Sequence, residues 1–69
     1  MFRYEVGATI LVKRRDDVSK DPVSVQIIAK GTNTISVKVL DNNWFRMGSI
    51  QTLTSDNWFS VGRINAESD

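Results

Sequence analysis

Asp16 and Asp17 are adjacent carboxylates, and a pair of this kind is a possible catalytic or cation-binding site. A carboxylate pair can act as general acid and base, or it can hold a hard cation weakly. These two residues directly follow a basic run, Lys13-Arg14-Arg15, and they lack the oxygen-rich spacing of a calcium loop. We therefore interpret the pair as a solvated charge cluster and expect no metal site.

Two residue types that many catalytic and metal sites use are missing. The chain contains no histidine and no cysteine, so the familiar nucleophilic triads cannot be assembled. The same absence excludes disulfides and the usual zinc sites. The glycines are scattered singly, so no phosphate-binding loop is predicted. We expect a protein that is not an enzyme and that needs no cofactor.

Basic residues near aromatic residues could instead contact nucleic acid, with bases stacked on rings and cations against phosphates. The candidate residues are Lys13, Arg14, Arg15, Arg46 and Arg63. Three aspartates follow the basic run closely and would repel phosphate, and the formal net charge of the chain is only +1. Nucleic-acid binding is therefore the alternative hypothesis, not the leading one.

The most specific feature of the sequence is an internal repeat. Residues 43–50, Asn-Trp-Phe-Arg-Met-Gly-Ser-Ile, match residues 57–64, Asn-Trp-Phe-Ser-Val-Gly-Arg-Ile. Adjacent side chains of a strand face opposite sides of its sheet, so one aromatic ring of each copy can enter the core while the other stays outside. The glycine of each copy suits a bulge or a close approach of the backbone.

Two interpretations of this repeat are open. Both copies could simply be a turn that leads into a strand, in which Trp and Phe pack against the core, as these residues most often do. Alternatively, one outward aromatic ring from each copy contributes to a shared contact patch, since tryptophan is enriched at binding hot spots. The candidate protein-contact residues are Trp44, Phe45, Arg46, Trp58 and Phe59.

The elements that must position these residues have a period of two, not 3.6. One parity of the N-terminal segment carries Phe2, Tyr4, Val6, Ala8, Ile10 and Val12. This alternation predicts a first strand with one buried face, in which Gly7 could mark a bulge or the strand start. Residues 13–22 follow as an exposed polar loop, and Pro22 suits the entrance to the next strand.

A hairpin is predicted in the middle of the chain. Residues 23–30 and 34–40 are rich in β-branched side chains, and the short link between them contains Gly31 and Asn33. The inward faces of the two strands are expected to carry Val23, Val25, Ile27 and Ala29, and then Ile35, Val37 and Val39.

The repeat accounts for the rest of the predicted sheet. Residues 44–54 predict a fourth strand that bends at Gly48, and residues 58–64 predict a fifth. No helix is predicted. Five short strands at close spacing indicate an all-β fold, a small five-stranded antiparallel barrel or rolled sheet.

The segment Asp41-Asn42-Asn43-Trp44-Phe45-Arg46-Met47-Gly48 resembles the part of SH3 domains that enters the fourth barrel strand with paired aromatics. The polar loop 14–21 lies where those domains carry a long acidic loop, and the strand spacing is similar to SH3-like barrels such as Tudor and KOW modules. The resemblance implies an SH3-like barrel fold. The sequence lacks the Ala-Leu-Tyr-Asp-Tyr-type start and the Pro-Ser-Asn-Tyr-type end, so the resemblance does not imply a polyproline groove.

The length of 69 residues predicts one domain, which we assign to residues 1–64, with residues 65–69 as a polar C-terminal tail. The sequence shows no apolar stretch long enough to span a bilayer, and its N-terminus does not resemble a secretory signal. We therefore expect a cytoplasmic protein with no membrane contact.

Three hypotheses about function follow from the sequence. The first is a non-enzymatic interaction module that binds another protein, as an accessory subunit or a small inhibitor; its compactness would suit a phage gene. The second is a small barrel that binds nucleic acid. The third is a homo-oligomeric structural protein, since symmetric dimers are the commonest assembly.

Overall fold

The computed structural model describes residues 4–63 and consists of a single antiparallel sheet without helices among those residues. Its five strands are β1 (Thr9–Arg14), β2 (Val23–Lys30), β3 (Thr34–Val39), β4 (Ile50–Thr54) and β5 (Trp58–Arg63). The predicted all-β class with five antiparallel strands is confirmed. Ile64 and the predicted tail lie outside the described residues.

The strand order in the sheet is β4-β3-β2-β1-β5, so β4 and β5 form its two edges. Every neighbouring pair is antiparallel. A tight turn connects the two edge strands, with the Asn57 N–H donating to the Thr54 carbonyl at 3.2 Å. The arrangement is compatible with an SH3-like barrel, although no hydrogen-bonded ladder among the described strands joins β4 to β5 and closes the sheet.

One face of this sheet forms the core. The buried hydrophobic side chains are Ala8, Ile10, Val12, Val23, Val25, Ile27, Ile35, Val37, Val39, Leu53 and Trp58. Alternation holds as predicted through β3, where Ile35, Val37 and Val39 are buried and Lys38 is exposed. No helix or second sheet covers this face within residues 4–63, yet its central side chains are inaccessible to solvent. The sheet must therefore roll around its own core.

The prediction that Ala29 lies on the buried face of β2 is wrong. Ile27 pairs with Val37, whereas Ala29 pairs with Ser36, so Ile28 is an extra residue in the ladder. A β-bulge of this kind reverses the facing of the residues beyond it. Ala29 is accordingly exposed, and the side chain of Ile28 is 42% exposed.

The first strand begins later than the alternation predicts. Residues 5–8 form a turn in which the Ala8 N–H donates to the Glu5 carbonyl at 3.1 Å, and Gly7 has a φ of +98°. A glycine with positive φ at the third position is typical of a type II turn. Val6, predicted on the buried face, is therefore 55% exposed, while Phe2 lies outside the described residues.

The fourth strand is also shorter than predicted. Residues 44–47 form no strand, and β4 comprises only Ile50–Thr54.

The fifth strand carries the bulge that its glycine suggested. Leu11 pairs with Gly62 and Val12 with Ser60, which leaves Val61 without a partner residue on β1.

Leu53 tests the rolled core, because it is the one fully buried side chain of β4. We expect Leu53→Ala to lower the free energy of unfolding by about 2–5 kcal/mol, since it removes buried apolar contacts and leaves a cavity. Ile50, on the same strand, is 58% exposed. Ile50→Ala should therefore change the free energy of unfolding by no more than about 0.5 kcal/mol. Urea unfolding of dilute protein measures both; equal losses would contradict the described facing of β4.

Candidate functional site

Both copies of the repeat contribute to one aromatic cluster, which consists of Trp44, Phe45 and Trp58. The ring centroids of Trp44 and Trp58 lie 5.6 Å apart with an interplanar angle of 80°, an edge-to-face contact. Phe45 and Trp58 also lie 5.6 Å apart, with their planes tilted by 36°. These geometries lie within the range that aromatic pairs prefer. The two copies of the repeat thus meet in space.

The two copies reach the cluster through different backbone conformations. Trp58 begins β5 and is 4% exposed, and Phe59 faces the other side of the sheet, as alternation predicts. In the first copy this prediction is wrong, because residues 44–47 do not form a strand. Trp44 and Phe45 both pack against the core and are partly buried.

The loop that carries Trp44 and Phe45 is anchored at its start by Asp41. The Asp41 carboxylate accepts hydrogen bonds from the backbone N–H of Ser24 at 2.8 Å and from that of Asn43 at 3.2 Å. The Asn43 side-chain amide also donates to the Pro22 carbonyl at 3.1 Å. These bonds tie the loop to the entrance of β2. An aspartate that bonds to the backbone two residues on is a common turn device.

A second set of hydrogen bonds holds the end of the same loop. The Met47 N–H donates to the Asn42 side-chain oxygen at 2.8 Å, and the Ser49 N–H donates to the Arg46 carbonyl at 3.1 Å. Gly48 has a φ of +86° at the third position of this turn, where glycine is favoured. The Gly48 N–H donates to the Val39 carbonyl at 2.7 Å. Hydrogen bonds at both ends therefore give the loop one defined conformation.

Two cations lie over the aromatic cluster. The Arg14 guanidinium carbon lies 5.9 Å from the Trp58 ring centroid and 6.0 Å from that of Trp44. Arg14 reaches this position because it is the cross-strand partner of Trp58, and it also forms an ion pair with Asp16 at 3.0 Å. The Lys20 Nζ atom lies 4.6 Å from the Trp44 centroid. These distances fall within the range of cation–π attraction.

Phe59 has a separate basic environment on the outer face of the sheet. The Arg15 guanidinium carbon lies 5.5 Å from the Phe59 centroid, and Lys13 is the cross-strand partner of Phe59. Both basic side chains also bond to neighbouring loops. Arg15 Nε donates to the Ser55 carbonyl at 3.0 Å, and Lys13 Nζ donates to the Val18 carbonyl at 2.8 Å.

The predicted contact residues therefore fall into distinct groups. Trp44, Phe45 and Trp58 lie together, and Arg46 is exposed on the same loop as the first two. The predicted nucleic-acid residues belong to three separate parts of the chain: Lys13, Arg14 and Arg15 lie at the end of β1, Arg46 in the loop before β4, and Arg63 on β5. Arg63 pairs with Ile10, at the opposite end of β1 from Arg14, and it lies 3.8 Å from Glu5.

Lys20 is the site residue that sequence reasoning missed. It belongs to the polar loop, and nothing in its local spacing signals a contact with Trp44, which lies far away in the chain. The acidic pair is not a joint site either. Asp16 binds Arg14, while Asp17 accepts a hydrogen bond from the Ser19 hydroxyl at 3.0 Å.

Within residues 4–63, no group of three or more acidic, histidine or cysteine side chains comes together in a way that could hold a metal ion. The same residues include no helix of the length and apolarity needed to cross a membrane.

Comparison with protein-family models found no family that matches this chain. Comparison with curated proteins found no significant match. Comparison with solved structures likewise found none. What the protein does must therefore be inferred from its own residues.

The different burial of the two tryptophans can be measured by fluorescence quenching. Trp58→Phe leaves Trp44 as the only tryptophan, and Trp44→Phe leaves Trp58. We expect acrylamide to quench Trp44 severalfold more strongly than Trp58, because Trp44 is partly exposed and Trp58 is 4% exposed. Equal quenching in two folded variants would contradict the described arrangement of the cluster.

Proposed function

We propose that this protein is a non-enzymatic interaction module that binds another protein through the surface formed by Trp44, Phe45, Arg46 and Lys20, here termed the Trp44 surface. The observation that carries the proposal is that Trp44 stays partly exposed in a loop held at both ends by hydrogen bonds. Trp58 lies beneath this surface as its support, because it is almost fully buried.

A fixed, partly exposed tryptophan favours binding for two physical reasons. Tryptophan is among the residues most enriched at interface hot spots. A loop that already has its bound conformation loses little entropy on association, so more of the contact energy appears as affinity. The bonds of Asp41 and Asn42 provide this preorganisation.

The charges of the surface indicate the chemistry of the partner. Lys20 lies over Trp44, and Arg46 is exposed on the same loop. Neither residue forms an ion pair within residues 4–63. We expect a partner segment that places an apolar side chain on Trp44 and a carboxylate near these cations, because such charge complementarity speeds association and selects partners.

We also infer that the rolled sheet is an SH3-like barrel. The strand order β4-β3-β2-β1-β5 and the bulges in β2 and β5 support this inference, since bulges increase the local bend and twist of a strand. Fold alone does not fix function. An accessory subunit or a small inhibitor, of the kind a phage gene could encode, would fit a domain of this size.

The proposal is tested by quantitative affinity capture with Trp44→Ala and Met47→Ala. Met47 lies in the same loop and is 56% exposed, so it is the matched control. We expect Trp44→Ala to weaken capture of a specific partner by tenfold or more, roughly the effect of a hot-spot residue, and Met47→Ala to leave capture unchanged.

Lys20→Glu serves as a second variant that leaves the core intact, because Lys20 is exposed. It should weaken the same capture, and more so at low salt than at high salt. Circular dichroism confirms the fold of each variant. Identical sets and amounts of captured protein for the wild type, Trp44→Ala and Lys20→Glu would refute the proposal.

Nucleic-acid binding is a second candidate function, favoured by the basic side chains around Phe59. Phe59 is partly exposed on the outer face, with Lys13 and Arg15 beside it. An aromatic ring between two cations is a suitable platform for a stacked base. The aspartates of the adjoining loop reduce the attraction for phosphate.

This candidate predicts that a labelled single-stranded oligonucleotide binds with an affinity that falls steeply as salt is raised. Phe59→Ala should weaken binding by about 1–3 kcal/mol, the usual contribution of one base–aromatic stack. Arg63→Ala is the control, since Arg63 lies on β5 opposite Ile10, away from Phe59 and Lys13. Fluorescence anisotropy measures all three proteins; absence of binding at low salt would eliminate this function.

A further inference from the structure

The edge strand β4 forms an antiparallel hydrogen-bonded ladder with β3. A backbone hydrogen bond at each end of this ladder shows which residues of β4 bond to β3. At one end, the Val39 N–H donates to the Ser49 carbonyl at 2.9 Å. At the other end, the Ser55 N–H donates to the Asn33 carbonyl at 2.8 Å. The register between these ends contains no bulge. The direction of every backbone group of β4 can therefore be assigned.

In an antiparallel ladder, the residues that bond to the neighbouring strand alternate along the chain. Counting from Ser49, Gln51 and Leu53 bond to β3. The backbone N–H and carbonyl groups of Ile50, Thr52 and Thr54 then point away from β3, and no other strand within residues 4–63 pairs with them. Such a row of groups is a template for another strand.

The two edges of the sheet are protected to different degrees. Natural edge strands are commonly protected by charges, prolines or bulges. β5 has a bulge at Val61 and ends in Arg63, which lies 3.8 Å from Glu5. β4 has the sequence Ile-Gln-Thr-Leu-Thr, with no charge, no proline and no bulge. Ile50 and Thr52 are exposed.

We propose that β4 pairs with β4 of a second copy of this chain, antiparallel and with a two-fold axis at Thr52. Thr52 then faces Thr52 of the other copy, and Ile50 faces Thr54, so that the outward backbone groups meet. The Thr54 carbonyl also accepts from Asn57 at 3.2 Å, which leaves it a second lone pair for this ladder. Threonine opposite threonine is a favourable cross-strand pair.

The charges that flank β4 favour a second copy in this orientation. Arg46 precedes the strand and Asp56 follows it, and both are exposed. Neither forms an ion pair within residues 4–63. An antiparallel two-fold brings the Arg46 end of one copy to the Asp56 end of the other, whereas a parallel pairing would bring like charges together. The chain is thus complementary to itself along this edge.

The dimer is expected to be weak. Five residues on each side bury far less than the roughly 1,000 Å² that a stable interface usually needs. We therefore expect dissociation constants of about 0.1–1 mM, in the range of transient association. This association uses the backbone groups of β4 and shares only Arg46 with the Trp44 surface, so Trp44 and Lys20 take no part in it.

Sedimentation velocity of the full chain, from about 10 µM to about 1 mM, tests the proposal. We expect a shift from monomer to dimer over this range. Thr52→Pro removes an outward N–H but no hydrogen bond to β3, because proline is tolerated in an edge strand where the N–H points away from the sheet. This variant should weaken dimerisation at least about tenfold. Thr52→Val keeps both the N–H and the branched shape, and should dimerise like the wild type.

A charge exchange tests the orientation without touching the strand. Asp56→Arg places Arg46 opposite another cation and should weaken dimerisation by about threefold to tenfold at low salt. The double variant Arg46→Asp with Asp56→Arg should restore it. Both positions are exposed, so these variants are expected to fold, and circular dichroism checks this.

Three results would overturn the proposal. One is a wild type that stays monomeric at about 1 mM. Another is a dimer that Thr52→Pro and Asp56→Arg leave unchanged, which would place the contact on a different surface. The third is slow hydrogen exchange of the Ile50 and Thr52 amides in dilute monomer, which would mean that another part of the same chain covers the edge. Trp44→Ala, tested in parallel, should not alter dimerisation.

Discussion

The structure depends on one constraint: a single sheet must bury its own apolar face without a second layer. Among the described residues no helix covers β1, β2 and β3, yet Ile10, Val25 and Val37 are fully buried. Rolling brings these side chains together in a closely packed interior. The aromatic cluster lies against this core, with Trp58 as its most buried member.

The packing of this cluster has a consequence for the binding that we propose. The loop before β4 must follow one particular path to bring Trp44 and Phe45 onto Trp58, and Asp41 and Gly48 define that path. The same bonds fix the outer side of Trp44 relative to Lys20. The bonds that stabilise the loop thus also supply the rigidity from which the proposed binding would benefit. A variant that loosens the loop should affect both, whereas a change at Lys20 should affect recognition alone.

The sequence allowed the interior of the sheet to be predicted, because alternation of β-branched residues reports a buried face directly. This held for Ile10, Val25 and Val37, where the strands are regular. It failed at Ala29, because a bulge inserts one residue without leaving a mark in the hydrophobic pattern. The contact of Lys20 with Trp44 depends on the rolling of the whole sheet, so local spacing could not reveal it.

The repeat shows the same limit more sharply, since two segments with five of eight residues in common adopt two conformations. Residues 44–48 of its first copy form a loop that turns at Gly48 with positive φ, whereas residues 58–63 of its second copy form β5, in which Gly62 follows a bulge. Glycine is compatible with both conformations, and so is the Trp-Phe pair. What differs is the neighbouring strand: β1 is available to pair with the second copy, while the first copy is held by side-chain bonds from Asp41 and Asn42.

The proposed binding surface around Trp44 and the proposed β4 contact share one residue, Arg46, so binding at one would be linked to binding at the other. A partner carboxylate and Asp56 of a second copy would compete for its guanidinium, but an exposed ion pair contributes at most about 1 kcal/mol, or roughly fivefold in affinity. A dimer carries two Trp44 surfaces, and joining two sites can raise the avidity for a partner with repeated segments by about 10²–10⁴. For such a partner the second effect is much the larger. Weak pairing through β4 would then favour partners with repeated binding segments over partners with one. Because linkage is reciprocal, such a partner would in turn stabilise the dimer.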